Sequence, residues 1–262
     1  MGKKIVLALL LALGTLCISM TSEGADLLDK VTASGELIVG TEGTYPPNSY
    51  YDKDNNLVGF DVEVAAAIAK KLGVKVRYEV HDWASIFTMF DNGQIDTVIN
   101  EVEVNEERAK KYDFSKPYVY IYGAVLIGAD NKEIKSFKDL EGKRAAQNAT
   151  STWGQRAEGY GATLVPVTGD AETFELILTG RADFSINAET AFTHYFKEHP
   201  EAAVKVAFRT DTAITQSVVP AHKGSEKFIA AVNKALDDLR ADGTLAAISE
   251  KYFGADFSKA VK

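Results

Sequence analysis

The chain has 262 residues, of which 46% are hydrophobic and 25% charged, proportions of an ordinary globular protein that exclude a disordered chain. Its formal charge of −8 argues against nucleic acid as a partner, since phosphate binding needs a basic surface. A small anion held by a local arginine stays open, and the length suffices for one large domain or two smaller ones.

The first residues, MGKKIVLALLLALGTLCISMTSEGA, have the layout of a secretory signal peptide. Lys3 and Lys4 give the positive start, residues 5–16 the apolar middle, and Ser22 and Gly24 small residues near a cleavage point. The apolar run is too short to span a bilayer comfortably, so 1–24 is expected to be removed on export to the periplasm. The only cysteine, Cys17, lies in this segment, which leaves the mature chain without a disulfide. The bulky Leu16 before it disfavours lipid attachment there.

Beyond the leader, short apolar runs alternate with helical patterns. ELIVGT (36–41) predicts a buried strand, FDVEVAAAIAKKLG (60–73) an amphipathic helix stopped by Gly73, VKVRYEV (74–80) a strand, WASIFTMFDNG (83–93) a helix and DTVIN (96–100) a buried strand. A second cycle follows 133–143: RAAQ as a weak strand, STWGQRAEGYG as a helix, TLVPV as a strand and DAETFELILTG as a helix closed by Gly180. ADFSI (182–186) and VKVAF (204–208) predict further strands. The chain ends in a long helix capped at Ser225 and a shorter one capped at Thr244.

Strand–helix alternation is the signature of α/β architecture with parallel sheets and crossover helices. Two such cycles joined by extended segments (120–128 and 214–220) predict two lobes linked by two hinge crossings. The expected division is 25–122 with 220–262 as the first lobe and 123–219 as the second. Ligands of open α/β sheets bind beyond the carboxyl ends of the strands, so function should gather where those ends face the other lobe.

Four stretches, GTYPPNSYYDKDNNLVGFDVEVAAAIAKKLG, INEVEVNEERAKKYDFSKPY, GDAETFELILTGRADFSIN and LDDLRADGTLAAISEKYFG, resemble the periplasmic polar-amino-acid-binding proteins of ABC importers, bacterial extracellular solute-binding family 3. The resemblance covers essentially the whole mature chain, with VIN before the arginine segment most like the cystine-binding branch. It implies a type II periplasmic binding protein fold and capture of an amino acid or amino-acid-like carboxylate by hinged closure. It further implies a membrane ABC permease as partner, a monomer, and neither cofactor nor enzymatic activity.

The resemblance also assigns site residues. Arg108 stands where the family's arginine grips the ligand α-carboxylate, and a guanidinium fork suits that task; the alternative is an ion pair with Glu101, Glu103, Glu106 or Glu107. Thr150, Ser151 and Thr152 stand where a turn opening a helix offers N–H groups to the anion, though simple helix capping would use the same residue types. Tyr45 and Trp83 stand where aromatic rings flank the ligand, with ordinary core packing as the alternative.

Three departures bear on the ligand. Ala188 replaces an aspartate that meets the ligand's ammonium; Glu189 is turned away by one residue, and Asp183 is expected to be structural. Glu101 and Glu103 replace small and hydroxyl residues, and in a closed cleft both need a cation. Glu42 stands where some relatives carry an aspartate for a basic side chain; solvated rim charge is the alternative for all three glutamates. The rival function is a periplasmic enzyme of the cyclohexadienyl dehydratase type, with Glu101 or Glu103 as a general acid. The four histidines (His81, His194, His199, His222) form no cluster, and metal-ligand spacing is absent.

Overall fold

The structure is a computed structural model that describes residues 26–210 and 215–260; the expected leader and Cys17 lie outside the described residues. Helix α1 (Leu27–Ser34) leads into β1 (Glu36–Thr41), and the short strands β2 (Thr44–Tyr45), β3 (Ser49–Tyr51) and β4 (Leu57–Val58) form a meander. Helix α2 (Phe60–Leu72), β5 (Lys75–Val80), α3 (Trp83–Asp91) and β6 (Thr97–Val98) complete the first sheet, in which β1 lies between β5 and β6 and parallel to both. Then α4 (Glu106–Lys111), β7 (Tyr112–Phe114) and β8 (Val119–Ile121) lead out to β9 (Gly123–Gly128).

The second lobe adds β10 (Arg144–Gln147), α5 (Thr152–Gly159), β11 (Thr163–Pro166), α6 (Asp170–Leu178), β12 (Phe184–Ala188), α7 (Glu189–Glu198) and β13 (Val204–Arg209). Its strand order is β11-β10-β12-β9-β13. The sheet is parallel through β11, β10 and β12, but β9 runs antiparallel to both β12 and β13. The chain returns through β14 (Thr215–Ser217), paired with β8, and β15 (Pro220–His222), paired with β7. Helices α8 (Glu226–Ala241) and α9 (Thr244–Phe253) then pack on α2.

Side chains of alternate residues split each sheet between two cores. In the second lobe Ala145, Val125 and Phe184 face the cluster that holds Trp153 and Ala157 of α5, while their neighbours Ala146, Ala124 and Leu126 join Phe174 of α6 and Phe192 of α7. In the first lobe Leu37 and Val39 pack with α2 and α8, and α3 closes the opposite face through Trp83, Ile86 and Phe90.

Two boundaries and the chemistry of one cap differ from the sequence expectations for local reasons. The strand expected over 182–186 is Phe184–Ala188, because Asp183 is occupied in a fork with Arg144, accepting from its Nη2 at 2.7 Å and Nε at 3.1 Å. Thr244 is the first helical residue, preceded by Gly243 at φ 78°. Ser225 is the N-cap of α8 but makes no side-chain cap bond; Asp26, which caps α1, also accepts from Lys227 N at 3.0 Å and Phe228 N at 3.2 Å. One carboxylate thus starts two helices.

The start of α2 is fixed from outside the helix. Phe60 N donates to Pro47 O and Asp61 N to Asn48 O, both at 2.9 Å, so donors that a helix end leaves unpaired are met by the β2–β3 turn. This close approach requires Gly59, whose φ is +139° and where an added Cβ would lie 2.1 Å from Asn48 O. Gly73 ends the same helix at φ +76° with nothing within 4 Å of an added Cβ. Replacing Gly59 by Ala is expected to cost about 3 kcal/mol or more in denaturant unfolding. Gly73→Ala, which strains φ without a clash, should cost about 1–2 kcal/mol.

Candidate functional site

The carboxyl ends of the parallel strands of both sheets converge on one cleft. Glu42 follows β1, Asn100 and Glu101 follow β6, Asn148 follows β10, and Asp170 follows β11. Together with Tyr45, Trp83, Ser151, Thr152 and Asn187 they line a cavity of about 90 Å³ between the lobes.

One end of the cavity is acidic. Glu42, 8% exposed, accepts from Asn100 Nδ2 at 2.8 Å, and burial pushes its carboxyl up to about 7. Asn100 in turn uses Oδ1 to accept from Glu42 N and the Thr41 hydroxyl, both at 2.8 Å. Asp170 opens α6 and is pushed up to about 8 by burial, with the Glu42 charge adding to it. Glu101 sits at φ +48°, a left-handed conformation that a non-glycine residue adopts only when its surroundings hold it there. Asp61, fully buried, does the holding: its Oδ2 accepts from Glu101 N at 2.8 Å and its Oδ1 from the Tyr118 hydroxyl at 2.7 Å. Burial pushes Asp61 up to about 7, and burial with the Asp61 charge raises Glu101 well above the carboxylate range.

The start of α5 lines the same cavity. Ser151 is its N-cap, accepting from Gly154 N at 3.0 Å, and Ser151 and Thr152 both line the cavity. Thr150 does not: it is exposed, with its N and hydroxyl donating to Asn148 Oδ1 at 3.0 and 2.9 Å. The turn requires that geometry, which directs Thr150 away from the cleft.

Arg108 and Glu103 lie beside the lining, not in it. The Arg108 guanidinium stacks 5.2 Å from the centroid of Trp83 and 4.5 Å from that of Phe87, and its Nη1 donates to the Glu103 carbonyl at 2.9 Å. Burial pulls its pKa down to about 10, offset in part by Glu103, so it stays charged at neutral pH. It therefore packs on Trp83, a residue of the cavity wall. Glu103 spends its carboxylate across the cleft. Arg156 of α5 donates to it twice, at 3.0 and 2.6 Å, and the Thr215 hydroxyl at 2.8 Å. Glu103 thus makes an ion pair between the lobes, and Arg156 also packs 4.6 Å from the Trp153 ring.

Ala188 caps α7 with no side chain to offer, and Glu189 pairs with Arg209 at 3.2 Å outside the cleft. Asn48 is fully buried beside Gly59 and outside the lining. Sequence analysis missed Asp170, Asn100, Asn187 and Arg156. An acidic residue in the first turn of a helix is ordinarily explained by the helix dipole, which hid Asp170. Arg156 lay mid-helix with no signal of a partner 53 residues away. Among the described residues no group of three His, Cys, Asp or Glu could hold a metal ion, and no helix is long and apolar enough to cross a membrane.

Two outcomes follow from this arrangement. Arg156→Met leaves the buried Glu103 carboxylate without its cation, and should cost the closed form about 3–5 kcal/mol. Solution scattering would read this as a larger radius of gyration, largely reversed when Glu103→Met is added. Glu42, Asp61 and Asp170 all titrate higher folded than unfolded, so the folded protein holds more protons between about 4 and 8. Stability should then fall as pH rises through that window, seen as a melting temperature lower at pH 8 than at pH 5 without ligand.

The sequence pattern of the bacterial extracellular solute-binding proteins, family 3, matches residues 37–255. A probable amino-acid ABC transporter-binding protein of Haemophilus influenzae is 38% identical over 258 residues, 98% of this chain and 100% of that one. An ancestral arginine-binding protein bound to arginine superposes with a TM-score of 0.79 at 37% identity, over 84% of this chain and 99% of that one. The L-cystine solute receptor of Neisseria gonorrhoeae, in its unliganded open conformation, gives 0.62 at 39% identity, over 89% of this chain and 99% of that one. The match over most of the chain, on a two-lobed α/β fold with its cavity between the lobes, makes this protein a member of the bacterial extracellular solute-binding proteins, family 3.

Proposed function

We propose that the protein is the substrate-binding component of an ABC importer, capturing one polar amino acid or amino-acid-like carboxylate as its lobes close and presenting the closed form to a membrane permease. Export to the periplasm by cleavage of residues 1–24, and action as a monomer without enzymatic turnover, belong to the same proposal. So do the lobe limits, 25–122 with 220–262 and 123–219.

The observation that carries it is the polarity of the cavity. Glu42, Glu101 and Asp170 bear on one another in the wall, and the N-terminus of α5 lines the same cavity, which suits a molecule with a positive nitrogen and a carboxylate. Arg108 serves as the carboxylate anchor, and Tyr45 and Trp83 wall the ligand's middle. The contact absent at Ala188 passes to Glu101 and Asp170. The amino-acid ligands named for the relatives, arginine and cystine, both fit this polarity.

Isothermal titration with L-cystine, L-arginine and a panel of other amino acids is expected to find one ligand per protein, recovered unchanged. Conversion of a prephenate- or arogenate-like substrate would instead support the dehydratase alternative. Arg108→Met should weaken the ligand by about a hundredfold or more, the scale of losing one partner of a buried charge pair, with unfolding unchanged. Retained affinity would remove Arg108 from the site.

A further inference from the structure

Glu101 and Glu103 alternate along one segment and meet opposite fates. Glu103 has Arg156. Glu101 is 7% exposed and lines the cavity, and its Oε1 is buried with no hydrogen-bond partner. The groups that bear on it are Asp61 from α2, Tyr45 from β2, Glu103 on its own segment and Asp170 from α6, with Tyr118 behind Asp61 and Glu42 also in the cavity wall. None is a cation, and among the described residues lining the cavity there is no lysine, arginine or histidine.

A proton count sharpens the position. The Tyr45 Oη lies 2.6 Å from Glu101 Oε2 and 2.9 Å from Asn187 Oδ1. Asn187 Oδ1 is fixed as the amide oxygen because Ala188 N donates to it at 2.8 Å, while the amide nitrogen faces Asp170 at 3.4 Å. A tyrosine hydroxyl has one proton, and an amide oxygen has none to give. Both short contacts can be hydrogen bonds only if a second proton is present, and of the three oxygens Glu101 Oε2 is the one able to hold it. The chain then runs from Glu101 O–H to Tyr45 Oη, and from Tyr45 O–H to Asn187 Oδ1, from one lobe to the other. An ionised Glu101 would draw the Tyr45 proton to itself and leave two bare oxygens facing each other across the cleft.

We infer that Glu101 carries a proton in the closed, ligand-free cleft, that this proton is a closing contact between the lobes, and that it occupies the place a ligand's cationic nitrogen takes on capture. The inference rests on the proposed transport role only in its last part. Burial and the surrounding carboxylates raise the Glu101 carboxyl in the same direction. Because closure raises it, the contact exists at low pH and is lost as pH rises through the raised value. On capture the ammonium N–H groups supply the missing donors to Oε1 and to the Tyr45–Asn187 pair, Glu101 ionises, and one proton leaves to solvent.

Glu101→Gln tests it, since the amide keeps a donor for Tyr45 but cannot titrate. The wild-type infrared spectrum at pH 7 should contain a carboxylic-acid C=O band that this variant lacks. The wild-type radius of gyration should grow between pH 5 and pH 9, and the variant's should grow less. Titration of L-arginine or L-cystine in buffers of different ionisation enthalpy should give about one proton released per ligand by the wild type, and none by the variant. Identical infrared spectra, or identical pH profiles of closure, would overturn the inference, as would ligand binding by the wild type without proton release. Failure of every amino acid to bind would count against the transport role, while the spectra and scattering still decide the proton.

Discussion

Closing two lobes over a cleft rich in carboxyl groups takes charge out of water, and the structure is organised around meeting that cost. Glu103 meets it with a cation brought from the other lobe. Asp61 meets it with two donors, a backbone N–H and the Tyr118 hydroxyl. Glu42 has the Asn100 amide. Glu101 and Asp170 are left with neutral partners only, so the acidic end of the cavity is complete only with protons or with a cation.

These solutions are coupled. Asp61 fixes the left-handed backbone of Glu101, and that turn sends the chain on to Glu103, whose carbonyl receives Arg108 and whose carboxylate receives Arg156. One short segment after β6 therefore holds the proposed carboxylate anchor, the ion pair across the cleft and the acid facing the cavity. Asp61 lies at the start of α2, and the position of that helix depends on Gly59 against the β2–β3 turn. A packing constraint in the first lobe thereby sets the electrostatics of the cleft.

The sequence carried the architecture well where burial is periodic. Helix α2, β1 and the βα cycles of both lobes follow from apolar spacing and from stops at Gly73 and Gly180. Legibility fell where an element is defined by its partners. The meander of β2 to β4 and the short helix α4 have too little periodicity to read. The antiparallel entry of β9 depends on how the chain crosses between lobes, and the cap of α8 comes from Asp26, about two hundred residues earlier in the chain. Among site residues, Tyr45, Trp83, Glu42, Glu101, Ser151 and Thr152 are in the cavity wall, while Arg108, Glu103 and Thr150 are not.

What the sequence determined by itself is the pattern of elements and the excess of acid near the strand ends, because both are set by residue types at fixed local spacing. What only the tertiary structure decided is which carboxylate receives a cation. Glu101 and Glu103 are equivalent in the sequence, two residues apart in one EVEV run. They differ because α5 brings Arg156 within reach of one, while Tyr45 and Asn187 close over the other. Charge pairing depends on distances of a few ångströms between residues far apart in sequence, and those distances exist only once the two lobes meet.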